Sequence, residues 1–116
     1  MRWYTADEDE PEELERLVSA WADAPTLNLE VLGMILEVAR DDVIDYAPKP
    51  RPESAGEDIK ARYVLAQLRQ AQSLWDAGSV NSEGEVGEGG FVFVPRPLDK
   101  TIKRIIRPTD MSPHVL

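Results

Sequence analysis

Asp41, Asp42 and Asp45 stand close enough along the chain to share one stretch of helix, and neighbouring carboxylates are the starting material of a divalent-cation site. A complete site needs further hard ligands or a histidine. The one histidine, His114, follows Pro113 near the end of the sequence, where a frayed segment is a poor platform for a general base. No serine lies in a nucleophile-elbow pattern, and His114 has no structured partner for a triad. Gly84-Glu85-Val86-Gly87 lacks the lysine and Ser/Thr of a phosphate loop, and its glutamates would repel phosphate. With zero cysteines there are no disulfides, thiolate ligands or cysteine nucleophiles. The three aspartates therefore read as a solvated helix face. The expectation is a chain that is not an enzyme, with no catalytic, cofactor-binding or metal-binding residue.

The elements that carry these residues are helical. Pro11 marks a favoured first helical position behind a run of acids, and Leu14, Leu17, Val18 and Trp21 then share one helix face up to Pro25. Asn28 is a natural N-cap for a second helix ending near Tyr46, ahead of Pro48. Its buried stripe is Leu32, Ile35, Leu36, Ala39, Val43 and Tyr46, widened by Val31, Met34 and Val38. After a loop from Lys49 to Gly56, a third helix is expected from about Glu57 to Ala77. Ala61, Val64, Leu65, Leu68, Ala71 and Trp75 form its stripe, Asp58 pairs with Arg62, and Gly78 caps the C-terminus.

Beyond Ser79 the helical pattern stops. Gly84, Gly87, Gly89 and Gly90 favour an irregular loop, and Phe91-Val92-Phe93-Val94 reads as a short strand. A lone strand in a helical chain has no internal partner, so it folds back on Ser79 to Glu83 or is completed by another subunit. A last helix is expected from Leu98 to Arg107. Leu98, Ile102, Ile105 and Ile106 lie on one face of it, with Lys100, Lys103, Arg104 and Arg107 on the other. At about ten residues it must dock on its own bundle or on a partner. The fold class expected is mainly α: a small bundle of about four helices with a long glycine-rich loop or β-hairpin before the C-terminal helix. Within one domain the organisation divides at residues 1–27, 28–78, 79–95 and 96–116.

Charge is spread unevenly over the 116 residues. The net −9 resolves into −7 for residues 1–30, −5 for 31–90 and +3 for 91–116. An acidic body argues against a phosphate-gripping nucleic-acid binder. An acidic body with a basic arm instead suits contact between copies or docking on an acidic partner. No apolar run approaches the roughly 20 residues of a membrane span, and the first residues lack the apolar core of a signal peptide. The chain reads as soluble and unprocessed.

Several phrases resemble a known family. The helix Tyr63-Val64-Leu65-Ala66-Gln67-Leu68-Arg69-Gln70-Ala71-Gln72-Ser73-Leu74-Trp75 is similar to the glutamine-rich, tryptophan-ended helix of head-to-tail adaptor proteins from actinobacterial tailed phages. Asp45-Tyr46-Ala47-Pro48, the loop glycines Gly84, Gly87 and Gly90, and Pro97-Leu98-Asp99-Lys100-Thr101-Ile102-Lys103-Arg104-Ile105-Ile106-Arg107-Pro108 follow that family's order. The resemblance covers about Leu29 to Pro108. It implies a virion protein, made in the host cytoplasm, that forms a homo-oligomeric ring (typically dodecameric). Such a ring joins the portal to the head-closure or stopper protein and continues the DNA channel without binding DNA specifically. The resemblance further implies that Leu98, Lys100, Ile102, Lys103, Arg104, Ile105, Ile106 and Arg107 contact the portal. Val86, Phe91, Val92, Phe93 and Val94 would meet a neighbouring subunit or the stopper. Under this reading, a chain shortened at Pro97 keeps a folded body but no longer joins heads. The alternative is an acidic regulatory binding protein, antitoxin-like or DNA-mimicking, a reading that the basic stripe of the last helix interrupts.

Overall fold

The computed structural model describes residues 1–82 and 91–108, and among them it contains four helices and no strand. The helices are α1 (Pro11–Ala20), α2 (Leu29–Tyr46), α3 (Ala61–Ser82) and α4 (Lys100–Ile106). The protein is a small, mainly α bundle in which α2, α3 and α4 pack together. α2 begins as its sequence dictates: the Asn28 side chain accepts a hydrogen bond from the Val31 N–H at 3.2 Å, satisfying one of the free amides of the first turn. Leu32, Ile35, Leu36, Ala39 and Val43 are buried along it, one apolar stripe at helical spacing. Met34, at the margin of that stripe, remains half exposed.

The N-terminal residues are part of the core. Trp3 and Tyr4 are both buried, and the Trp3 indole N–H donates to the Glu53 carbonyl at 2.8 Å. Ile59 N–H donates to the Met1 carbonyl at 2.9 Å. That pairing explains why α3 starts at Ala61 and not near Glu57. Residues 57–60 run alongside the first residue of the chain, and Ile59 turns inward to burial. Asp58 lies ahead of the helix, and no Asp58–Arg62 ion pair forms among the described residues. Gly56, with φ of 133°, turns the preceding loop through a region that side chains disfavour.

α1 is held through this same N-terminal segment. Arg2 and Arg16 both pair with Glu13, Arg16 donates to the Arg2 carbonyl at 2.7 Å, and its guanidinium lies 4.3 Å from the centre of the Tyr4 ring. Leu17 and Trp21 are buried from α1 and its C-cap, while Leu14 packs at the edge. The helix ends at Ala20, well short of Pro25, because residues 21–28 form a series of turns.

The buried face of α3 differs from its apolar stripe. Ala61 and Leu65 are exposed, whereas Tyr63, Gln67, Gln70 and Leu74 join Val64, Leu68 and Ala71 inside. Gln67 explains the rotation. Its Oε1 accepts from the Tyr4 N–H at 2.8 Å, and its Nε2 donates to the Tyr4 carbonyl at 2.9 Å and the Leu36 carbonyl at 3.0 Å. One fully buried amide thus joins the N-terminal segment, α2 and α3. A polar group survives burial only when it is paired in this way.

Candidate functional site

Residues 91–99 form a strap along α3. Phe91 stacks on Trp75, with ring centroids 5.1 Å apart and planes 3° from parallel. Gly78 permits the approach: a Cβ placed there would sit 2.1 Å from Phe91 Cε1. The expected roles of this segment are therefore corrected. Gly78 lies inside α3 and leaves room for an aromatic ring, with the helix continuing to Ser82. Phe91 to Val94 is not a strand, and Ser79–Ser82 is helical and so is no hairpin partner. Burial of one ring between Trp75 and Gly78 outweighs the β-propensity of a four-residue run.

A Gly78→Ala substitution separates these effects. It favours the helix backbone by up to about 1 kcal/mol but denies Phe91 its seat. The expected result is intact helicity by circular dichroism together with loss of the nuclear Overhauser contacts between Trp75 and Phe91.

Further along, the strap is pinned by Gln70, whose Nε2 donates to the Arg96 carbonyl at 2.9 Å and to Asp42 Oδ2 at 3.1 Å. Burial raises the pKa of Asp42, opposed by the hydrogen bond from Gln70 and assisted by the charges of Asp45 and Asp41. Gln70 Oε1 itself is buried without a partner among the described residues. Among the described residues no group of three or more His, Cys, Asp or Glu is placed to hold a metal ion. Asp41 is instead salt-bridged to Arg40, and Asp45 to Arg51.

Asp99 ends the strap and caps α4, its Oδ1 accepting from the Ile102 N–H at 2.8 Å. α4 then buries Ile102 and Ile106 completely or nearly so, with Leu98 and Ile105 packed at the margin. Its own bundle, and not a partner, covers that apolar face. Arg107 also turns inward. Its Nε donates to the Tyr46 carbonyl at 2.8 Å and its guanidinium lies 4.1 Å from the Tyr46 ring centre. A cation at the end of α2 meets both a free carbonyl and the negative pole of the helix. Lys103 lies 5.5 Å from the same ring but stays exposed, as do Lys100 and Arg104.

Of the residues expected to meet partners, Lys100, Lys103, Arg104, Val92 and Phe93 are exposed; Phe91 and Val94 are half-buried against α3. Val86, like His114, lies outside the described residues. An open groove of about 620 Å³ separates strap and α3, lined by Arg69, Ser73, Asp76, Val94, Arg96 and Thr101. Sequence reasoning missed Gln67, Gln70 and Asp99. Of these, only Asp99, three residues ahead of Ile102 and directly before a helical pattern, carried a legible capping signal.

No described helix is long and apolar enough to cross a membrane. Compared with protein-family models, with curated proteins and with solved structures, the chain matches none of them.

Proposed function

We propose that the protein is a structural head-to-tail adaptor of a tailed bacteriophage. In this role about twelve copies form a ring that joins the portal to the stopper or tail-completion protein and continues the DNA channel. The observation that carries the reading is the outer surface of the chain's last third, set behind a helical body. The strap presents Val92 and Phe93, and α4 presents Lys100, Lys103 and Arg104, while the apolar side of α4 is used internally. A folded body with an exposed strap and a basic face suits a part that grips neighbours. The order of motifs from Leu29 to Pro108 resembles that of such adaptors. The acidic remainder of the chain suits a channel wall past which DNA slides, since fixed anions repel phosphate.

The test is to add the purified protein to portal-bearing heads that lack it and to image them by negative-stain electron microscopy. The expected result is a ring of density below the portal vertex. Heads that gain neither density nor bound protein at saturating concentration would refute the reading.

A further inference from the structure

We infer that the acidic surface of α1 and the residues before it docks on the basic face of α4 in a second copy of the chain. The inference rests on the ring reading above and names one of its joints. It assigns Lys100, Lys103 and Arg104 to the neighbouring copy, where the family resemblance would place them against the portal.

The two surfaces carry opposite, uncompensated charge. Lys100, Lys103 and Arg104 are exposed, and none has a carboxylate oxygen within 4.0 Å among the described residues. Asp99, the acid that directly precedes Lys100, uses Oδ1 to cap the helix. On the other side Asp7, Glu8, Asp9, Glu10, Glu12 and Glu15 are all exposed. Glu13 is the one acid of that stretch in an ion pair among the described residues.

The two surfaces do not pair with each other within one copy among the described residues. α1 brings no Cα within 8 Å of any residue in the other three helices, whereas α4 is fixed against α2 and α3. Among the described residues each face is thus self-repelling, and another molecule can supply the counter-charge. A second copy carries both. Because the patches differ, the contact is heterologous, the kind that propagates into a ring or an open chain. Exposed ion pairs add little affinity singly; their effect is on encounter rate, register and salt sensitivity. Nucleic acid is the weaker occupant, since three cations on a seven-residue helix oppose a net charge of −9.

Sedimentation velocity of the full chain over a range of concentrations tests the joint. Self-association is expected to weaken by about tenfold or more when salt rises from about 0.05 to 0.5 M, as screening of exposed charges requires. Lys100→Glu/Lys103→Glu/Arg104→Glu should abolish association, and so should Glu8→Lys/Glu12→Lys/Glu15→Lys. An equimolar mixture of the two variants should restore it, because each then offers the other its complement. If reversal impairs folding, the milder Lys100→Gln/Lys103→Gln/Arg104→Gln set, with the salt series on the unmodified chain, gives the same readout.

A chain that stays monomeric at every concentration, association indifferent to salt, or failure of the mixture would overturn the joint. So would a monomer whose α4 variant loses affinity only for DNA. Rings on portal-bearing heads that survive both charge reversals would remove the joint and leave the adaptor reading standing. Absence of any ring with the unmodified chain would remove the adaptor reading itself.

Discussion

Replacing Gln67 with leucine is expected to destabilise the protein by about 3 kcal/mol, although the new side chain is apolar, of similar size and placed in an apolar core. The reason lies in what is left behind. The amide satisfies the Tyr4 N–H, the Tyr4 carbonyl and the Leu36 carbonyl, all buried. Leucine removes the partner and leaves the Tyr4 N–H and carbonyl unpaired away from water, at about 1–3 kcal/mol each, while the Leu36 carbonyl keeps only its bond within α2. Relaxation of the N-terminal segment toward solvent would recover part of that cost, though it would expose Trp3 and Tyr4. Thermal unfolding should show the midpoint falling by roughly 10 °C for a domain of this size. An unchanged midpoint would mean that the Tyr4 segment is not held in this way. Gln70→Leu should cost less, because its partners, the Arg96 carbonyl and the Asp42 carboxylate, are only partly buried, and its own Oε1 is without a partner among the described residues.

Deletion of residues 97–116 is expected to cost more still. Read from sequence, this segment is an arm whose loss spares the body, because a short two-faced helix fits a partner as well as its own core. In the structure its described part, residues 97–108, is a wall of the bundle. Ile102 is 3% exposed and Ile106 fully buried, and burial of such side chains contributes about 1.5–3 kcal/mol each. Arg107 additionally closes the end of α2 through the Tyr46 carbonyl. The combined loss of about 3–6 kcal/mol consumes much of the 5–15 kcal/mol that holds a typical domain together. The shortened chain should unfold at markedly lower urea concentration and bind a hydrophobic dye through the bared faces of α2 and α3. A truncated chain as stable as the whole would show that α4 docks only weakly. Joining defects seen in such a truncation therefore report folding first. The exposed substitutions at Lys100, Lys103 and Arg104 probe contact directly.

Much of the bundle was legible because helical periodicity and end signals act locally. Asn28 caps α2 as its side chain dictates, and the stripe from Leu32 to Val43 is the one that is buried. Where the reading failed, a distant residue decided the outcome. The apolar pattern places Leu65 inside, yet the buried face passes through Tyr63, Gln67, Gln70 and Leu74, which keep the same helical spacing. Glutamines fit that face only because Tyr4, Leu36 and Arg96 supply partners, and no local pattern announces them. Gly78 likewise looks like a stop signal in the sequence, yet α3 runs through it to Ser82. Its meaning depends on Phe91, which stacks on Trp75 one turn earlier in α3. The exposed charges of α4 were legible as a stripe, whereas Arg107 was drawn inward by a carbonyl far back in the chain.

That last contact bears on how the protein is made. Arg107 meets Tyr46 across 61 positions of sequence, and Tyr4 meets Gln67 across 63. Helical proteins of this size owe their speed to pairings between near neighbours, but here contacts between segments some 60 positions apart close the structure. A nascent chain on the ribosome can pair α2 with α3 early through Gln67, yet the wall that α4 supplies is missing until α4 has emerged. Until then the seats of Ile102 and Ile106 stand open to other incomplete copies, and slow synthesis of the stretch that encodes α4 lengthens that exposure.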